Sequence, residues 1–212
     1  MILILSFLIG SVFSKIFIKD TANDTAIKTE NVVNKEKDKN EIIKSNKTFK
    51  YLAIQGGIFQ NDNNANEVYK ILQSYGSPFI IQDNKYKRVF LGIYSENQGN
   101  KIMKSLENKK IDNSKMTFVI EGKDICDLEI GEIINAYIQI LNKLGEKDVK
   151  SIETKEFKKW CSELEKIQGN KKNIQVLNEI KGKIKTMPET MSKEKISENY
   201  IFLYSVLKKI KN

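Results

Sequence analysis

The sequence predicts an α+β fold: a four-stranded antiparallel sheet in β-α-β-β-α-β order, with two helices packed on one of its faces. Three observations carry this. Residues 49–55 form an alternating run, the period of a half-buried strand. Further on, the apolar positions switch between a helical period over 63–75 and 96–107 and short strand-like runs over 78–83, 86–93 and 116–121. Asp83-Asn84-Lys85 falls between two of those runs as a hairpin turn. An N-terminal membrane span and a linker come before this unit, and a helical region comes after it.

Residues 1–18 are apolar apart from Ser6, Ser11, Ser14 and Lys15. As a helix, at about 1.5 Å per residue, the stretch reaches roughly 27 Å, barely a bilayer core. Lys15 near one end can snorkel to the headgroups. A cleavable signal peptide is the rival reading, with Val12-x-Ser14 as a loose cleavage site, but the basic start of such a peptide is missing. An uncleaved single-span anchor is expected. Residues 19–47 read as a linker, rich in Lys, Asn, Asp, Glu and Thr, with hydrophobic residues never more than two in a row, as in the pairs Val32-Val33 and Ile42-Ile43. Its seven lysines and six acids nearly cancel, which suits a flexible tether rather than a basic arm. Such a tether spans roughly 30 Å on average and about 95 Å when stretched.

The module proper occupies residues 48–122. Its first strand is broken by Gly56-Gly57 and resumes at Ile58-Phe59. The first helix carries Ala65, Val68, Ile71, Leu72 and Tyr75 and stops at Gly76. Ser95 is the expected N-cap of the second helix, with Ile102, Met103 and Leu106 as its apolar face. Alternate residues of a strand share a face. Val89, Leu91 and Ile93 therefore form an aliphatic set for the helices, and Leu52 and Ile54 join them. Tyr86, Arg88, Phe90 and Gly92, with Tyr51, Ala53 and Gln55, point the other way. With both helices on one side, this second face is expected to be open, a candidate binding platform.

Residues 124–212 read as a small helical bundle. Ile125, Leu128, Ile133, Ile134, Tyr137, Ile140, Leu141 and Leu144 keep a helical period up to Gly145. Thr154 can cap a second helix carrying Phe157, Trp160, Leu164 and Ile167, ending at Gly169. A third holds Ile174, Leu177, Ile180 and Ile184, and a fourth, after Pro188, holds Ile196, Tyr200, Leu203, Leu207 and Ile210. Glu163 and Glu165 read as ordinary surface acids, so no catalytic constellation emerges and the chain is not expected to be an enzyme. There is no histidine, which removes His triads and His-ligated metals, and no nucleotide or metal motif calls for a cofactor. Cys126 and Cys161 are far apart, without metal-ligand spacing; a disulfide is open to them, but free thiols are expected. Net charge is +9 over 212 residues, and Arg88 is the sole arginine among 36 basic residues. This lysine and asparagine bias matches an AT-rich genome, which makes much of the basicity compositional.

The order Tyr-x-x-x-Gln-x-Gly-x-Phe (Tyr51 to Phe59), helix, Gly76, strand, Tyr-x-Arg-Val-x-x-Gly-x-Tyr (Tyr86 to Tyr94) resembles the SPOR, or sporulation-related repeat, domain. The likeness covers about residues 48–122, a third of the chain, and departs at Ile58, where members often carry Ala or Ser. It implies a ferredoxin/RNP-like fold that binds peptidoglycan glycan strands stripped of their stem peptides, in bacterial cell division or sporulation. The implied glycan-binding residues are Gln55, Tyr86, Arg88, Phe90 and Tyr51. Aromatic rings suit the C–H faces of sugars, and an amide donates and accepts in one plane. Stripped strands expose lactyl carboxylates, which an arginine fork can hold in a bidentate way that a lysine cannot. Because these residues all lie inside the module, residues 48–122 are expected to bind without the helical region.

Lys15, Lys19 and Lys28 flank the downstream end of the span, and taken alone the positive-inside rule leaves the body in the cytoplasm. The resemblance argues for the opposite side and prevails: a single-pass protein of the cytoplasmic membrane with its body outside. Two alternatives belong to other classes. One is a structural adaptor that recruits a division or sporulation protein through its C-terminal helices. The other, an RRM-like nucleic-acid binder, lacks the RNP1 signature and sits poorly with the span, so no nucleic-acid partner is expected.

Overall fold

The computed structural model describes residues 47–164, 166–167 and 169–212; the expected span over residues 1–18, the linker up to residue 46 and Glu165 lie outside them. Strands β1 (Thr48–Phe59), β2 (Phe79–Asp83), β3 (Tyr86–Ser95) and β4 (Ser114–Glu121) form one antiparallel sheet in the order β2-β3-β1-β4. Helix α1 (Asp62–Gln73) joins β1 to β2, and α2 (Glu96–Asn108) joins β3 to β4. Local chemistry sets these boundaries. The Asn61 side chain accepts the N–H groups of Asn63 and Asn64 and so starts α1, and the Ser95 hydroxyl accepts that of Gln98 and starts α2. In the β2–β3 hairpin, Asn84 takes a left-handed φ of 53°, which asparagine tolerates.

Both helices pack on one face, over Ile54, Val89, Leu91 and Tyr94. Strand β1 runs straight through Gly56-Gly57, where a break was expected. Gly56 is instead an extra residue in β1, between Gln55, which faces Phe90, and Gly57, which faces Val89. A Cβ on Gly56 would lie 2.7 Å from Leu72 and 3.0 Å from Val68, so the bulge also lets α1 approach. A second bulge sits in β3: Ile54 faces Gly92 and Gln55 faces Phe90, which leaves Leu91 as the extra residue. This corrects the simple alternation. Beyond Leu91 the parity of β3 flips, so Ile93 joins the second face and Gly92 and Tyr94 turn to the helices.

The second face is not open. Helices α3 (Ile125–Leu144) and α6 (Ile196–Lys209) lie against it, and their side chains share one core with Tyr51, Ala53, Phe79, Phe90, Ile93, Phe118 and Ile120. Helix α3 is buried over most of its circumference, and such a helix must be enclosed by apolar surface. The sheet supplies one side of that enclosure, and α5 (Ile174–Lys185) and α6 supply others. At Gly131 the helix comes so close that a Cβ would meet the Phe49 ring at 2.3 Å. The helical region is therefore a third layer on the sheet, not a bundle with a core of its own.

Helices α3, α5 and α6 follow the expected periods. Helix α4 (Lys155–Glu163) is shorter than expected: Leu164 is extended, and it and Ile167 reach the core from outside the helix. Thr154 does not cap α4 through its side chain. Its hydroxyl donates to the Pro188 carbonyl at 2.6 Å, beside an unexpected two-stranded ribbon of β5 (Ser151–Glu153) and β6 (Thr190–Ser192). The tail ties this layer to the sheet. Asn173 holds both Lys211 backbone groups at 3.0 Å, and the Asn212 amide donates to Val119 on the outer edge of β4. Among the described residues, no helix is long and apolar enough to cross a membrane.

Candidate functional site

Two of the five expected platform residues are core. Phe90 is 0% exposed and Tyr51 1%. Phe90 stacks on Phe79 with ring centroids 5.2 Å apart, and the α6 side chains Tyr200 and Tyr204 close over the pair. Tyr204 also meets Phe118 edge-on at 5.7 Å. The Tyr51 hydroxyl donates to the Gly131 carbonyl at 2.8 Å, which fastens α3 to β1. Burial, and then the nearby charge of Glu132, push that phenol well above its ordinary pKa. Both rings were expected to face solvent; helices seeking apolar surface cover them instead.

The other three residues remain at the surface, at the end of the face nearest the hairpin. The bulges bring Gln55 of β1 beside Arg88 of β3, with Arg88 Nη1 3.4 Å from Gln55 Oε1. Arg88 Nε donates to Asp83 of β2 at 2.7 Å, and Gln55 Nε2 lies 3.3 Å from Ser114 Oγ of β4. Asp83, Arg88, Gln55 and Ser114 thus form a polar row that crosses all four strands in their spatial order. Ile58 and Ile81 lie opposite Arg88 in register, on either side of it. Tyr86 is 38% exposed, with Lys85 Nζ 5.4 Å from its ring centre. Lys87 faces the other way and pairs with Asp62 at 2.7 Å, as its parity requires.

Comparison with known proteins finds no matching family model, no matching curated protein and no matching solved structure. The chemistry is therefore read from the residues alone. A planar cation between the Asp83 carboxylate and the Gln55 amide, with Ile58 opposite it in register and Tyr86 two residues along its own strand, is equipped to hold a carboxylate or similar anion carried on a molecule with apolar faces.

Sequence reasoning missed three members of this corner. Asp83 and Ser114 share the face of Arg88 and Gln55, and hairpin parity marks Asp83: it lies opposite Tyr86, as Ile81 lies opposite Arg88. Tyr204 comes from α6, and no sequence signal links it to this sheet. Its phenol is raised by burial, with Arg88 lowering and Asp83 raising it, so it borders the ion pair.

Elsewhere the described residues offer little. They contain no group of side chains able to hold a metal ion. Cys126 and Cys161 are free and buried, and burial pushes their thiols up to about 12 and about 11, so neither is a nucleophile near neutral pH. A cleft of about 200 Å³ between α5, β6 and α6 is lined by Met187, Met191 and Asn199, with Lys183 and Lys195 both paired to Glu198.

Proposed function

We propose that the chain binds bacterial peptidoglycan glycan strands that have lost their stem peptides, through the hairpin end of the sheet face rather than the whole face. On this reading it is a non-enzymatic member of the SPOR group with a ferredoxin/RNP-like module. A span anchors it in the cytoplasmic membrane, its body lies outside, and it acts in cell division or sporulation. Two supports are the motif order of residues 48–122 and the strand order β2-β3-β1-β4. The observation that carries the reading is local. The sole arginine and the motif's glutamine meet within hydrogen-bond reach at the part of the face that the helices leave partly exposed.

Arg88 takes the lactyl carboxylate, Gln55 and Ser114 take hydroxyls, and Tyr86 takes a sugar face. Phe90 and Tyr51 hold the layer beneath them and do not touch the strand. The test is pelleting of the full chain, in detergent, with purified sacculi before and after an amidase removes the stem peptides. Binding should rise on the stripped sacculi; equal or absent binding on both would sink the reading.

Burial of the aromatic face favours a second reading, the structural adaptor, in which the sheet is only packed and the helices recruit a division or sporulation protein. The same burial removes the exposed sheet aromatics that RRM-like stacking on nucleic acid requires.

A further inference from the structure

The polar row contains a carboxylate for which the proposed reading has no use. Asp83 ends β2, and its Oδ2 accepts from Arg88 Nε at 2.7 Å, the shortest link in the row. The other links are long, at 3.4 Å from Arg88 to Gln55 and 3.3 Å from Gln55 to Ser114. The Arg88 side chain is 25% exposed and that of Asp83 44%, so water reaches the pair and it adds little to stability. A guanidinium offers its donors in a fixed fork, and Asp83 holds one edge of it.

Resting on the reading that this row is where the glycan binds, we infer that Asp83 is a built-in competitor for the ligand. Its carboxylate stands where the carboxylate of a stripped glycan docks, and binding is an exchange of one for the other. The exchange sets selectivity. A neutral sugar has nothing with which to displace Asp83, whereas a glycan carrying free carboxylates replaces the charge it removes. The row therefore takes carboxylated glycans and rejects neutral ones. When displaced, Asp83 is already at the exposed end of its strand, so its charge passes into water at small cost.

The experiment measures pelleting of the full chain, in detergent, on amidase-stripped sacculi, with thermal melts as the folding control. Asp83→Asn removes the competitor, and binding should tighten by about two- to five-fold, the usual worth of an exposed pair. The gain should vanish when the carboxylates of the sacculi are methyl-esterified. Asp62→Asn removes an equal charge from the pair with Lys87 on the opposite face and should leave binding unchanged. Should Asp83→Asn melt early, Asp83→Thr, an uncharged strand former, takes its place with the same expectation. If wild type binds and Asp83→Asn binds no better, or if Asp62→Asn gains as much, the exchange is wrong and the wall-binding reading stands. If neither wild type nor Asp83→Asn binds, both fall.

Discussion

At the scale of single residues, Arg88 and Gln55 meet because two bulges, at Gly56 and Leu91, bend β1 and β3 without breaking their pairing. The shared face of these two was legible in the strand alternation, because each comes before the bulge in its own strand, Gln55 before Gly56 and Arg88 before Leu91. The position of Ile93 was not, because one extra residue reverses the parity of all that follows. The cysteines give a prediction at this scale. Burial holds Cys126 and Cys161 up to about 12 and about 11, whereas an unfolded chain releases such protons near pH 8.5. Above about pH 8.5 the unfolded state binds fewer protons than the folded one, so stability falls as pH rises towards the folded values. The denaturant midpoint should be lower at pH 10 than at pH 8, with the buried tyrosines adding to the loss. Replacing both cysteines with alanine should flatten part of that slope. A thiol reagent should react slowly with the native chain and with both cysteines in denaturant; fast labelling of native protein would contradict their burial.

Among the elements, the six of the module emerged in the expected order because each carries an apolar run or period long enough to read, in spite of the bulges in β1 and β3. The ribbon of β5 and β6 leaves no signal in the sequence, because three-residue strands are too short to show a period. The covering of the second face was hidden for a different reason. Periodicity tells which side of a strand is apolar, not whether that side meets a helix or a ligand. Tyr51, Phe79, Phe90 and Phe118 read alike in either role. Here the consequence reverses an expectation drawn from the sequence: residues 48–122 should not fold into a binding module by themselves. Removing residues 124–212 would expose Phe79, Phe90, Ile93, Phe118 and Ile120, each worth about 1.5–3 kcal/mol when buried. Their sum, on the order of 10 kcal/mol, rivals the whole stability of a typical domain, about 5–15 kcal/mol. The fragment is expected to aggregate or bind an apolar dye, with near-ultraviolet dichroism lost. A monomeric fragment with native dichroism would show that the third layer is dispensable.

For the molecule as a whole, the sheet and its helical layer share one core, so the described body should unfold in a single transition seen equally by Trp160 fluorescence and far-ultraviolet dichroism. The proposed placement has its own check. In spheroplasts, protease added from outside should digest the body of the chain, and complete protection would put that body in the cytoplasm and rule out contact with the wall. The central claim, however, is that the aromatic face is structure while the hairpin corner is contact, and one measurement separates the two. Wild type, Arg88→Lys and Phe90→Leu, each as the full chain in detergent, are titrated on amidase-stripped sacculi with melting curves alongside. Arg88→Lys keeps the charge but loses the fork; one charged hydrogen bond is worth about 1.5–3 kcal/mol, so affinity should drop roughly ten-fold or more at an unchanged melting temperature. Phe90→Leu should melt earlier yet bind as wild type while folded. The opposite pattern, with Phe90→Leu folded but unable to bind and Arg88→Lys unaffected, would contradict the account.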